Sequence, residues 1–204
     1  MGMPGACHHD HPPAQPQPQM PLAGGSTGEE MQRHALFGGA IQADFPPRFE
    51  DVSNFRDVPN NQEVFADASR DESIVVELLE MKADVADADS SRWFLEDLMR
   101  EQEAQAGSTV SKGRQGAEAL NVVRVYLANI RLRNVHTDVL ITVNEPLFIS
   151  DRSESAAAAG AAGVTQAAVQ EASAGVLGAT AGGQVFQRLL SSFQVNDWGL
   201  FGHQ

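Results

Sequence analysis

The pattern of apolar and polar positions gives its strongest strand signal in the second half of the chain, where Asn121 to Leu132 reads as a long β-strand and Val139 to Val143 as its returning partner. Asn134 to Thr137 forms the loop between them. The first of these strands is apolar on both faces, with Val123, Val125 and Leu127 on one and Val122, Tyr126 and Ile130 on the other. Helices are therefore expected to cover both sides of the sheet, because a sheet face that carries apolar side chains must bury them. Further upstream, Gln62 to Ala66 and Ser73 to Leu79 are two short runs with β-branched residues, separated by the polar stretch Asp67 to Glu72, and they predict an antiparallel hairpin. Within its second strand Ile74, Val76 and Leu78 share a face. Val75, Glu77 and Leu79 share the other, so Glu77 interrupts an apolar row.

Helical spacing occurs twice. Ser90 or Ser91 is placed to cap a helix through Trp93, Phe94, Asp97 and Leu98 to about Gln102, with Gly107 closing the pattern and its acids forming a solvated face. Val185 to Val195 puts Phe186, Leu189, Leu190 and Phe193 on one stripe, which predicts a helix packed on the sheet. Between Leu36 and these elements the punctuation is dense: a Gly-Gly pair, Pro46-Pro47, a capped turn from Asp51 to Arg56, and a Pro59-Asn60 turn. Two stretches lack a core pattern. Residues 1 to 33, rich in Pro and Gln, are expected to be a disordered tail; residues 151 to 183, rich in Ala and Gly, are expected to be a long loop within a domain spanning 34 to 204.

Charge narrows the functional classes. The 204 residues carry a formal net charge of −13, and the whole excess lies in the first half: residues 1 to 103 hold 7 basic and 20 acidic side chains, the remainder 7 and 7. Nucleic acid and anionic membrane are poor partners for such a surface, since binding them requires Lys and Arg to displace counterions. A basic patch on another protein is the better match. The single cysteine, Cys7, excludes an intrachain disulfide and fits a reducing compartment. With His8, His9, Asp10 and His11 it forms a run of potential metal ligands, but adjacent positions lack the spacing of a structural zinc site, and no metal or other cofactor is assigned.

Catalytic constellations are missing from the pattern. Lys112 stands beside Gly113, yet no Gly-rich loop leads into a Lys-Ser or Lys-Thr pair, so the chain is not expected to bind a nucleoside triphosphate itself. His34, His136 and His203 are scattered singly, with no nucleophile and base in sequence register. Acidic pairs such as Asp71 and Glu72 arise by chance in a chain of this composition. The working surface is expected between Leu36 and Lys82, and its role is binding rather than catalysis.

The strings LFGGAI (Leu36 to Ile41), FEDVSNFRDVPNNQEVF (Phe49 to Phe65) and DESIVVELLE (Asp71 to Glu80) carry a resemblance. So do SKGRQG at Ser111, the pair VVRVYLANIRL and TDVLITVNEP, and the segment SSFQVNDWGLFG. Together they resemble the Ran guanine-nucleotide release factors, the Mog-type nuclear-import factors, with wording nearest to plant and green-algal members. The resemblance implies an α+β fold, with an antiparallel β-sheet between helices, shared with the PsbP subunit of photosystem II. It implies binding to the small GTPase Ran, release of its nucleotide, and residence in nucleus and cytoplasm, with no cofactor, no membrane or nucleic-acid partner, and a monomeric state. Carried onto this sequence, the Ran-binding positions are Asp51, Arg56, Gln62, Glu63, Glu77 and Glu80, with most weight on Glu77 and Glu80. A PsbP-like photosystem subunit sharing only the fold is the alternative. One departure bears on the fold: only Ala106 to Val110 stands before SKGRQG, where the family pattern has room for further strands, so some strands are expected to be lacking and a sheet edge exposed.

Overall fold

The computed structural model describes residues 29–108, 122–149 and 180–202, with side chains of the first helix described as far as Glu101. The chain enters as β1 (Gln32–Leu36) and returns as β2 (Ile41–Phe45), joined by a 3-10 turn at Phe37–Gly39. Successive positive φ angles at Phe37 (49°), Gly38 (65°) and Gly39 (93°) explain why this turn carries two glycines. β1 starts at Gln32, two residues inside the stretch read as a tail. Its register sets Arg33 opposite Asp44, and the Arg33 Nε donates to Asp44 Oδ1 at 2.8 Å.

Buried Pro46 ends β2. A two-residue strand β3 (Glu50–Asp51) then leads into a 3-10 turn at Val52–Asn54, capped by Asp51, whose Oδ1 accepts from the Ser53 amide at 2.8 Å. The Pro59 carbonyl accepts from the Gln62 amide at 2.9 Å and turns the chain into β4 (Gln62–Asp67). β4 pairs antiparallel with β5 (Glu72–Glu80), so the expected hairpin is present, one residue longer at several ends. β6 (Val122–Leu132) and β7 (Thr137–Phe148) form the second hairpin through a turn at Arg133–Val135 and a left-handed His136. The returning strand runs well beyond Val143 because Asn144 and Glu145 still find ladder partners, Val125 and Arg124.

The five strands follow the order β3-β4-β5-β7-β6, all antiparallel. β5 pairs directly with β7 from Ser73↔Asn144 to Glu80↔Thr137, and β7 with β6 from end to end. The short stretch before Ser111 therefore opens no break between the described central strands. It lies in the connection to β6, the outermost described strand; residues 109–121 of that connection lie outside the described residues.

Two helices flank the sheet as expected. α1 (Asp87–Ser108) begins earlier than the Ser90 or Ser91 cap predicted, and Gly107 falls within it. The earlier start has a tertiary cause: the Asp87 carboxylate receives Arg133 at 2.6 Å and Arg131 at 3.0 Å, and Ser90 instead donates its hydroxyl to the Asp87 carbonyl. α2 (Ala181–Ser192) starts at Thr180, whose Oγ1 accepts from the Gly183 amide at 3.2 Å. It ends three residues before Val195. Gln194 and Val195 leave the helix to pair with Gln42 and Ile41 as β8 (Gln194–Val195), which completes a second, three-stranded sheet in the order β1-β2-β8. The sequence pattern gave no sign of this small sheet.

The core lies between the small sheet with α2 and one face of the large sheet. Leu36, Ile41 and Phe45 meet Ile74, Val76, Val139, Ile141 and Val143, while Val185, Phe186 and Leu189 come down from α2. Phe186 stacks on Tyr126 with ring centroids 5.6 Å apart, and His34 stacks on Phe45 at 3.7 Å. Fully burying side chains of this size contributes about 1.5–3 kcal/mol each. α1 covers part of the opposite face.

Candidate functional site

The β4–β5 register fixes the centre of the site. Gln62 stands opposite Glu77, and its side-chain amide donates to Glu77 Oε1 at 2.7 Å. The next pair is Glu63 opposite Val76, so Glu63 points to the face that also holds the buried core valine. There its Oε1 accepts from the Phe37 amide at 2.6 Å. Glu63 thus secures the left-handed Phe37–Gly39 turn as well as presenting a carboxylate. Burial raises its pKa above the ordinary glutamate value; the Phe37 amide pulls it down, and nearby Asp51 pushes it up again.

Two cavities open on either side of these residues. One, of ≈360 Å³, is lined by Asp51, Gln62 and Glu63 together with Phe37, Pro59 and Leu200. The other, of ≈340 Å³, lies between the large sheet and α1 and is lined by Gln62, Glu77, Asp97 and Glu101 over an apolar floor that includes Val75 and Phe94. Gln62 lines both. Among the described residues no Lys or Arg lines either cavity, and the lining carboxylates make each an acidic recess.

The structure brings four of the six sequence-named residues together: Asp51, Gln62 and Glu63 around one cavity, and Glu77 bonded to Gln62 beside the other. Arg56 and Glu80 stand exposed outside both linings. Glu77 and Glu80 are three residues apart on one strand and so emerge on opposite faces, Glu80 at the strand's end.

Several residues of the site were not singled out by the sequence pattern. Asp97 and Glu101, read as part of a solvated helix face, turn toward the sheet. Their i, i+4 spacing beside Phe94 and Leu98 was the available signal. Leu200 reaches its cavity because β8 carries the C-terminal 3-10 segment Trp198–Phe201 past the Phe37–Gly39 turn, where Asn196 Nδ2 donates to the Gly39 carbonyl at 3.2 Å. Phe55, 75% exposed, and Trp198, 50% exposed, are the most exposed aromatics among the described residues.

Behind the site a clasp ties the end of β5 to the sheet and α1. Asp138 is fully buried and receives Arg131 Nε at 2.9 Å, Arg131 Nη2 at 3.1 Å and the Lys82 amide at 2.9 Å. Burial alone would raise its pKa, but these donors outweigh that and hold it below the ordinary carboxylate value. Among the described residues no group of three His, Cys, Asp or Glu is arranged to hold a metal ion, and no helix is long and apolar enough to cross a membrane. The Cys7 to His11 run lies outside the described residues.

The sequence pattern of the family described as Ran-interacting Mog1 protein matches residues 34–112 and 104–146, more than half of the chain. This chain belongs to the Mog1 family. Among its relatives, the Ran guanine nucleotide release factor of Danio rerio is 34% identical over 197 residues, covering 82% of this chain and 98% of the relative. The nuclear import protein mog1 of Schizosaccharomyces pombe is 34% identical over 143 residues, covering 55% of this chain and 75% of the relative. The solved structure of the Saccharomyces cerevisiae Ran-binding protein Mog1p shares the fold with a TM-score of 0.58 at 24% identity, covering 86% of this chain and all of that one. The Mog1 assignment sets aside the photosystem alternative, which rested on the fold only.

Proposed function

We propose that this chain binds the small GTPase Ran through the acidic end of the β4–β5 hairpin and promotes release of its guanine nucleotide, in support of nuclear import. The observation that carries the reading is the joined pair Gln62–Glu77 set between two recesses lined by carboxylates, with no cation among the described lining residues, in a member of the Mog1 family. Relatives named for Ran nucleotide release and for nuclear import support the partner and the process. Asp51, Arg56, Gln62, Glu63, Glu77 and Glu80 are the proposed contact residues. All are supplied by one copy of the chain, so a monomer presents the complete surface, in the nucleus and the cytoplasm where Ran is met.

Binding accelerates release only if the chain prefers the GTPase conformation that holds nucleotide and Mg²⁺ less tightly, since a partner shifts an equilibrium by its differential affinity for the two states. No covalent step is required. The chain acts as a regulator, with carboxylates that position a partner and take no part in bond making. Reversing charge in the double variant Glu77→Lys, Glu80→Lys is expected to abolish capture of Ran in a pull-down and to return nucleotide release to its intrinsic rate. Retention of both at wild-type level rules out the site.

A further inference from the structure

The recess between α1 and the sheet has a composition that solvation of an acidic helix does not explain. Glu77 enters from β5, while Asp97 and Glu101 enter from one face of α1, so three carboxylates line the recess from two elements, with no cation among the described lining residues. Asp97 is bonded to Arg100 at 3.1 Å, but Arg100 lies outside the lining and is exposed to solvent. The floor is apolar, with Val75, Leu79 and Phe94. Thr142, only 8% exposed, also lines the recess. A hydroxyl oxygen accepts hydrogen bonds, so an occupant offering a polar hydrogen would find an acceptor on Thr142.

These features match one kind of side chain: an aliphatic stem with a cationic, multiply donating head. We propose that the recess receives a lysine or arginine side chain of the bound GTPase, its stem on Val75, Leu79 and Phe94 and its head among Glu77, Asp97 and Glu101, with the Thr142 hydroxyl accepting one N–H. This rests on the Ran-binding reading above and extends the contact surface from the hairpin onto α1. Asp97 and Glu101 become partner-contacting residues.

The test uses the full chain and purified Ran, with affinities measured calorimetrically at two salt concentrations. The isosteric double variant Asp97→Asn, Glu101→Gln removes both helix charges from the recess, and Asp89→Asn, Glu96→Gln removes two from α1 positions outside it. Circular dichroism melting verifies that both fold. Wild type is expected to bind, the recess variant to lose about tenfold in affinity along with part of the salt dependence, and the control to stay within about twofold. Equal losses in the two variants, which would reflect net charge alone, overturn the proposal. An undiminished affinity in the recess variant overturns it too, while leaving the hairpin site standing. Failure of the wild type to bind Ran at all removes the Ran reading and this inference with it.

Discussion

Asp138 is the single residue on which the frame behind the site depends most. Arg131 reaches past it to the Lys82 and Val85 carbonyls and to Asp87, so one buried ion pair holds the end of β5, the lead into α1 and β7 together. Asp138→Asn leaves the Arg131 charge without its buried partner and is expected to destabilise the chain by about 3 kcal/mol at neutral pH, read as a fall in melting temperature. The sign of its pH dependence follows from the depressed folded pKa. Stability from Asp138 is present above the ordinary aspartate value, about 4, and is lost as pH falls through the lower folded value. The gap in melting temperature between wild type and Asp138→Asn should accordingly narrow as pH drops below about 4, as scanning calorimetry would show. Glu63 and Glu72 act oppositely, because burial raises their pKa; their contribution favours the fold at low pH and is lost as pH rises through the raised values. At this scale the sequence disclosed Glu77, because a carboxylate in an alternating apolar row breaks a pattern that burial enforces. It did not disclose Asp138 or the second role of Glu63, since an ion pair between positions 131 and 138 and a bond from Glu63 to the Phe37 amide depend on pairings that no local pattern encodes.

At the scale of elements, legibility followed the length of the periodic run. Both hairpins were readable because each contains one run of seven or more residues rich in β-branched side chains, and α2 was readable from its stripe. Its end was not: the apolar spacing continues through Phe193 and Val195, but pairing of Val195 with Ile41 wins over another helical turn. The start of α2 depends on contacts that an Ala- and Gly-rich stretch conceals. Glu145, buried on β7, accepts from the Gly182 amide at 3.1 Å and from the Thr180 hydroxyl at 3.0 Å, so a carboxylate sits at the positive end of the helix. A Cβ on Gly182 would lie 2.9 Å from Glu145 Cβ and Cδ. Gly182→Ala is therefore expected to destabilise the chain by about 1–3 kcal/mol, although alanine is the better helix former; a melting temperature at or above wild type would contradict the close approach. Thr180→Ala, which deletes the cap, should cost about 1 kcal/mol in the same measurement.

Among the described residues, the small sheet and α2 pack on one side of the large sheet and α1 covers only part of the other, so the hairpin that carries Glu77 is backed by the core. The net charge of −13 predicts that association with a basic partner is steered electrostatically. Its on-rate in stopped flow should fall steeply as salt rises, with the off-rate changing less. The resemblance in the sequence supplied the partner and the general location, whereas the division of the site into two recesses, and the part taken by α1, required the three-dimensional arrangement because those walls come from elements far apart in the chain. The central claim is that this acidic surface loosens the hold of Ran on its nucleotide. It is tested most directly by mixing the full chain with Ran loaded with fluorescent GDP or GTP, in the presence of excess unlabelled nucleotide, and following loss of signal. Faster release with at least one nucleotide, saturating with chain concentration, is the predicted result; release at the intrinsic rate with both would contradict the account.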